Sequence, residues 1–202
     1  MSLNIDHTNN TIKLDTGHPA DAIFKDGIIG TTLNANYPAG IAGGATTFAL
    51  VANQIMAVPF VVGRKCTTDI ISCKVTTGAT GTVLYMGIYG PTSATNAYPG
   101  TILTTAVSAS MAAATKNLTY VSTLQPGVIY WLAFVSDGAS GDAIAGQGAA
   151  AGAGLLGMDV TLTNIQTYLY YAYGSVALPT TFPASATIGS GTFPLLTYRL
   201  SA

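Results

Sequence analysis

Charged residues are scarce in this sequence. Its 202 residues include 7 Lys and Arg and 8 acidic residues, all of them Asp, so that 7% of the chain is charged where about 25% is typical. A net charge of −1 offers no basic surface to nucleic acid, and a chain without Glu cannot build the heptads of a coiled coil. The hydrophobic content of 49% is too high for a disordered chain. We therefore expect a folded protein that has no nucleic-acid partner.

The sequence also lacks a membrane segment. No basic region followed by an apolar run opens the chain, and no run of about 20 strongly apolar residues occurs later. Residues 143–157 come closest, but they are mostly Gly and Ala and too weakly hydrophobic to insert. We expect no membrane insertion.

Cysteine is nearly absent, with Cys66 and Cys73 seven positions apart. On one straight strand, this odd spacing would place the two side chains on opposite faces and prevent a disulfide. We predict reduced thiols in a protein made in a reducing cytoplasm. A bridge across a bend, or a metal site completed by ligands from elsewhere, is the alternative.

Groups suited to catalysis are few. The two imidazoles are those of His7 and His18, both near the N-terminus, and a Ser-His-Asp arrangement needs an imidazole to take the proton of the nucleophile. Neither GxSxG nor HExxH occurs, and the Gly-rich stretches lack the Lys and the Thr or Ser of a phosphate-binding loop. We predict a non-enzymatic protein with no cofactor and no metal.

Asp137 and Asp142 lie on one Gly-rich loop. Glycoside hydrolysis uses two carboxylates that flank the scissile bond, so a hydrolytic pair is formally possible. A weak Ca²⁺ site is another alternative, although the spacing matches no EF-hand loop. We favour solvated loop aspartates that accept hydrogen bonds from turn amides.

Charge is concentrated at the start of the chain, and this divides the sequence into an N-terminal anchoring and assembly segment, 1–50, and a body, 51–202. Residues 3–14 alternate apolar and polar on both sides of an Asn-Asn pair, which predicts a short hairpin with a primed turn. Residues 36–44 are rich in loop-forming residues and predict a linker or an extended arm that lies on another chain.

The body is predicted to be β throughout. No segment has a capped helical pattern, except that residues 105–116 fit a single helix as well as a loop and strand. Residues 90–100 are predicted as a long polar connection, and residues 138–157 as a Gly/Ala loop that is either mobile or packed against a neighbour. The fold class is all-β, an antiparallel β-sandwich of jelly-roll or immunoglobulin-like type with an extended N-terminal arm. The predicted strands are Ala57–Val62, Asp69–Thr76, Thr82–Tyr89, Leu118–Leu124, Val128–Ser136, Thr167–Tyr173 and Leu195–Leu200.

Tyrosine is the abundant functional side chain, with 11 copies against a single Trp. Tyr168 and Tyr170 share one face of a predicted strand, and Tyr171 and Tyr173 share the other. One pair could stack against sugar rings, since tyrosine has an apolar face and a polar tip. The alternative, which we favour, is that one pair fills the core and the other lies in a subunit interface. Trp131, inside an apolar run, is predicted to be a core residue.

Three segments of the body form a recognisable series. They are Gly87-Ile-Tyr-Gly90, then Tyr98-Pro-Gly-Thr-Ile-Leu103, and then Leu124-Gln-Pro-Gly-Val-Ile-Tyr-Trp-Leu-Ala133. This series resembles a pattern found in structural proteins of tailed bacteriophages. The opening residues 5–12 are similar to the start of some phage fibre and spike proteins. The resemblance implies a β-sandwich module displayed on the head or tail, usually as a trimer, that sometimes binds host glycans. It implies no catalytic residue.

Composition alone leads to a compatible expectation. A surface so poor in charge promotes association, and obligate oligomers bury large surfaces of this kind. Together with this expectation of assembly, the resemblance implies a virion protein made in the host cytoplasm, a homotrimer that contacts other virion proteins through residues 1–50. A glycan-binding adhesion module that uses the exposed tyrosines is the alternative function.

Overall fold

The computed structural model describes residues 3–6, 11–14, 36–38, 45–63, 65–138, 141–148, 156 and 166–201. The described residues form sixteen strands and no helix. In chain order, the strands are β1 (Leu3–Asp6), β2 (Thr11–Leu14), β3 (Asn36–Pro38), β4 (Ala45–Ala49), β5 (Gln54–Val61), β6 (Cys66–Thr77), β7 (Val83–Ser93), β8 (Asn96–Ile102), β9 (Val107–Ser110), β10 (Ala114–Leu124), β11 (Ile129–Ser136), β12 (Ala143–Gln147), β13 (Gln166–Ala172), β14 (Thr187–Ser190), β15 (Phe193–Pro194) and β16 (Leu196–Leu200).

Two seven-stranded antiparallel sheets pack face to face. Sheet 1 has the order β15-β12-β6-β16-β3, with β10 also paired to β6 and β4 to β12. Sheet 2 has the order β14-β13-β5-β11-β7-β8, with β9 also paired to β7. Apolar side chains from both sheets fill the space between them, as in a sandwich. The predicted antiparallel β-sandwich is confirmed.

All seven strands predicted in the body are present, as β5, β6, β7, β10, β11, β13 and β16. Residues 105–116, which the sequence left between a helix and a loop with strand, contain β9 and the start of β10. Pairing decides this ambiguity, because β9 is held by β7 and β10 by β6. Hydrogen bonding to a neighbouring strand thus outweighs the helix propensity of the Ala-rich stretch.

Two predicted loops contain strands. The predicted polar connection at 90–100 is wrong, because it forms the end of β7 and the start of β8, which pair as a tight hairpin. The Gly/Ala stretch 138–157 contributes β12, which pairs with β4, β6 and β15. Residues 139–140, 149–155 and 157 of that stretch lie outside the described residues.

The first 50 residues contribute strands as well. The register of β1 and β2 places Leu3 opposite Leu14 and Ile5 opposite Ile12, which confirms the hairpin, while its turn at 7–10 lies outside the described residues. Sheet 1 includes β3, paired with β16, and β4, paired with β12, so it draws strands from both sides of residue 50. The division into 1–50 and 51–202 stays a prediction. Within the predicted linker or arm at 36–44, residues 36–38 form β3, which pairs with β16 of the same chain, and residues 39–44 lie outside the described part.

The central strand β11 is buried on both faces of sheet 2. Residues such as Leu132 and Phe134 face the inner core between the sheets. Trp131 and Val135 alternate with them and belong to a second cluster on the outer face of sheet 2. The prediction that this apolar run is covered on both sides is confirmed.

Residues 173–186, here called the covering segment, lie over this second cluster. Phe182 of the segment makes an edge-to-face contact with Tyr89, at 5.2 Å between ring centroids. Main-chain bonds from Ile102 N to Thr180 O (2.9 Å) and from Phe182 N to Gly100 O (2.8 Å) fasten the segment alongside β8. The outer face of sheet 2 is therefore partly enclosed by the chain itself.

Tyr120 joins the two sheets. Its side chain is 2% exposed, and its hydroxyl reaches from β10 of sheet 1 to the main chain of Ile88 in sheet 2 (3.0 Å to N, 3.2 Å to O) and of Thr104 (3.3 Å to N and O). The alternation of β10 directs this ring inward, on the same face as Leu118 and Leu124, which also contact the inner core. A β-bulge lies at the same point, where Tyr120 and Val121 together oppose one residue of β6. The hydroxyl of Thr68 fills the bulge, donating to Tyr120 O (2.9 Å) and accepting from Ser122 N (3.1 Å).

No disulfide links Cys66 to Cys73. Both thiols nevertheless contact the inner core, so the expectation of opposite faces does not hold. The reason is a β-bulge in β6. Arg199 is paired with Ile70 and Leu200 with Thr68, so Asp69 is an extra residue and the in–out alternation of the β6 side chains reverses there. Separately, the described elements include no helix of the length and hydrophobicity needed to cross a membrane.

Candidate functional site

Strand β13 distributes the four candidate tyrosines between two faces of sheet 2. Tyr168 and Tyr170 pack against the inner core, and Tyr173 packs against the second cluster. Tyr171 is paired with Ile55, a member of the second cluster, and so lies on the same outer face. The predicted pairing of faces is confirmed, and all four side chains are half-buried.

The inner pair is engaged by the protein. The Tyr168 ring meets Phe48 edge to face (5.6 Å, 88°) and Tyr170 at a tilt (5.9 Å, 43°). It also lies directly over Gly189 of β14, where a Cβ atom would come within 2.3 Å of Tyr168 Cζ. Burial raises the pKa of the Tyr168 phenol. These contacts occupy the surfaces that a sugar ring would need, and they make Tyr168 a packing residue.

Among the described residues, the outer pair has none of the aromatic ring contacts that engage Tyr168 and Tyr170. Tyr171 and Tyr173 lie on the face of β13 that also carries Leu169, which is paired with Ile188 of β14. The Ile188 side chain is 48% exposed. This outer tyrosine patch, defined as Tyr171, Tyr173 and Ile188, is an amphipathic surface at the β14 edge of sheet 2. Its chemistry suits stacking against an apolar face with a hydroxyl at the rim.

Sheet 2 brings together the three segments 87–90, 98–103 and 124–133 as neighbours. Trp131 is paired with Tyr89, and Tyr89 is paired with Ile102, so the segments form adjoining parts of β11, β7 and β8. The Trp131 indole donates a hydrogen bond to Ala97 O (2.7 Å) in the β7–β8 hairpin. The prediction of Trp131 as a core residue is confirmed, since it is buried in the second cluster.

Two more tyrosines fix the covering segment to this unit. The Tyr89 hydroxyl donates to Pro179 O (2.5 Å) and the Tyr98 hydroxyl to Pro183 O (2.5 Å). Tyr98 also accepts a hydrogen bond from Ala186 N (3.1 Å). Their polar tips are therefore used within the fold, which gives these residues a structural role.

Asp137 and Asp142 have different environments. Asp137 is half-buried and its Oδ1 accepts a hydrogen bond from Val83 N (2.6 Å) at the start of β7, so the donor is a distant strand amide and not the turn amide that was predicted. Asp142 was expected to be solvated, and this is wrong, because the residue is buried where the chain enters β12. Among the described residues, no group of three or more His, Cys, Asp or Glu side chains forms a metal-binding cluster.

The outer face of sheet 1 is nearly neutral. Ser72 donates to Asn117 Oδ1 (2.8 Å), and Thr67 and Thr123 approach each other across β6 and β10 (3.5 Å). The one ion pair in the described part of the chain joins Arg199 to Asp69 through two guanidinium nitrogens, the closer contact being 2.6 Å. The hydrogen-bonded guanidinium holds the pKa of Asp69 below its usual value. Sequence alone could not have found this pair, because the bulge that places Asp69 opposite Arg199 leaves no local signal.

His7 and His18 lie outside the described residues. The chain was compared with protein-family models and with curated proteins, and neither comparison found a match.

Proposed function

We propose that the chain is a non-enzymatic structural component of a tailed-bacteriophage virion, displayed on the particle surface as a homotrimer. Its N-terminal segment holds it on other virion proteins, and the β-sandwich projects outward. The proposal rests on the resemblance of the three segments and on one physical observation, the scarcity of surface charge.

The distribution of charge in the folded chain strengthens that observation. Asp69 and Arg199 neutralise each other, and the two other acidic side chains described in the body, Asp137 and Asp142, are turned to the main chain or buried. The other charged side chains of the described body are Lys65, Lys74 and Lys116. A surface with so little charge is poorly protected against association, and permanent assembly uses that property.

The segments 87–90, 98–103 and 124–133 support a structural role in a second way. They occupy adjoining strands, and their polar side-chain atoms form hydrogen bonds inside the protein. The Trp131 indole donates to Ala97 O, and the Tyr98 hydroxyl donates to Pro183 O. Side chains that hold a sheet and its covering segment together are what a structural module on a particle surface requires.

Two truncations test the anchoring role. A chain beginning at residue 36 keeps β3 and β4, so we expect it to fold and self-associate but to be lost from particles. A chain beginning at residue 51 removes both strands from sheet 1, and we expect it to be destabilised. Incorporation of the chain from residue 36 into particles at the level of the full chain would refute the anchor.

The outer tyrosine patch supports a second candidate function, the binding of a host surface glycan. On a glycan array, Tyr171→Ala is expected to abolish binding, whereas Tyr170→Ala on the inner face is the matched control and keeps binding if folded. Loss in both variants, or in neither, would contradict a site at this patch.

A further inference from the structure

Asp142 is the one charged side chain, among those that the structure describes, that is buried, at 7% exposure. Its Oδ2 atom is fully enclosed and has no hydrogen-bond partner. Ile144, two residues further on, faces the inner core. Because residues two apart on a strand share a face, the Asp142 side chain lies on the inner side of sheet 1 as well. A carboxylate in this position carries a large desolvation cost unless something compensates its charge.

A second side-chain oxygen, Ser136 Oγ, lies near Asp142 Oδ2. A Cβ atom built on Gly138 would lie 2.4 Å from Asp142 Oδ2 and 3.1 Å from Ser136 Oγ, so both oxygens flank the same glycine. Ser136 is itself buried at the end of β11, and its Oγ accepts a hydrogen bond from Gly138 N (2.9 Å), which leaves a second lone pair. A side chain at position 138 would therefore collide with Asp142 Oδ2, and glycine avoids this collision.

No protein cation in the described residues neutralises Asp142. The ion pair of the described body uses Arg199 and Asp69, and no Lys or Arg described here lies within salt-bridge distance of Asp142. The main-chain carbonyl of Asp142 is occupied by Leu50 N (2.9 Å), so the local fold is fixed while the carboxylate oxygen stays unpaired.

We propose that Asp142 and Ser136 bind a Ca²⁺ ion at this end of the sandwich. A carboxylate and a hydroxyl are hard oxygen donors, which suit Ca²⁺ better than the softer metals that prefer thiol or imidazole. Ca²⁺ tolerates irregular coordination, so water and main-chain oxygens can complete its shell, whereas Mg²⁺ demands near-octahedral geometry. With a single buried carboxylate, the affinity falls in the weak range, a Kd of about 0.1–1 mM.

Thermal unfolding of the full chain after treatment with EGTA tests the site. Addition of 10 mM CaCl2 should raise the Tm by about 3–6 °C, the shift expected for a weak single site in a domain of this size. Equal ionic strength from NaCl or MgCl2 should give less than half of that shift. Calorimetric titration with CaCl2 should give saturable binding near one ion per chain.

Asp142→Asn should abolish the Ca²⁺ response and leave the Tm in EGTA unchanged or higher, because it removes an uncompensated buried charge. Ser136→Ala should weaken the response. Asp69→Asn, far from the site on the outer face of sheet 1, is the matched control and should keep the full response. Absence of saturable Ca²⁺ binding by the wild-type chain would overturn the proposal even if a variant failed to fold, and so would an undiminished response in Asp142→Asn.

Discussion

Removing the hydroxyl of Tyr120 is expected to weaken the contact between the two sheets. The hydroxyl has one proton and two lone pairs, so it can accept from Ile88 N and Thr104 N while donating to one of the two carbonyls. In Tyr120→Phe the ring still fills its place in the inner core, and the loss is confined to these hydrogen bonds.

The size of the effect depends on which main-chain groups find another hydrogen-bond partner once the Tyr120 hydroxyl is removed. Ile88 O remains satisfied, because Leu103 N also donates to it (2.8 Å). Thr104 is exposed, so water can replace the hydroxyl at its amide. Ile88 N is buried in sheet 2 and is left without a partner, which costs about 1–3 kcal/mol.

Urea unfolding at one fixed protein concentration measures this cost. Tyr120→Phe should lower the midpoint with the slope unchanged, as expected when stability alone is altered. Tyr171→Phe is the matched control, since no hydrogen bond of its hydroxyl is present in the described structure, and it should change stability by less than about 0.5 kcal/mol. Equal effects of the two substitutions would refute the idea that this hydroxyl joins the sheets.

Three further predictions concern the same fold. Thr68→Val should cost about 1–3 kcal/mol, and a double-mutant cycle with Tyr120→Phe should reveal a coupling above about 0.5 kcal/mol, since the Thr68 hydroxyl donates to the main-chain carbonyl of Tyr120; strict additivity would argue against it. Gly78→Ala should cost more than about 2 kcal/mol, because its Cβ would lie 2.0 Å from a main-chain carbonyl oxygen, while Gly148→Ala meets nothing within 4 Å and should be nearly neutral in the same assay. Burial raises the pKa of the Cys73 thiol to about 12, so Ellman's reagent at pH 8 should modify Cys73 only after unfolding, and rapid native labelling would contradict its position.

The strand pattern of this chain could be predicted where side chains alternate or where apolar runs are long. β11 is the clearest case, because residues 128–135 are apolar throughout and the strand is covered on both faces. β8 and β12 could not be predicted, because β8 contains Pro and Gly, β12 consists mainly of Ala and Gly, and the neighbouring strands hold both in place.

The candidate tyrosine site could be predicted only in part. Alternation along β13 correctly separated Tyr168 and Tyr170 from Tyr171 and Tyr173. Which face is the inner one depends on Phe48 and Gly189, which lie far away in sequence and contribute to the packing only after the sheets form. The burial of Asp142 was missed for the same reason, since nothing local distinguishes it from the half-buried Asp137.

Sedimentation velocity over a wide dilution range tests the central claim, self-assembly of a charge-poor chain, most directly. The account predicts that the full chain sediments as three copies, with a mass three times the 20.5 kDa of one chain, and that this species persists at low micromolar concentration. A stable species of 20.5 kDa that stays in solution at high concentration would contradict it.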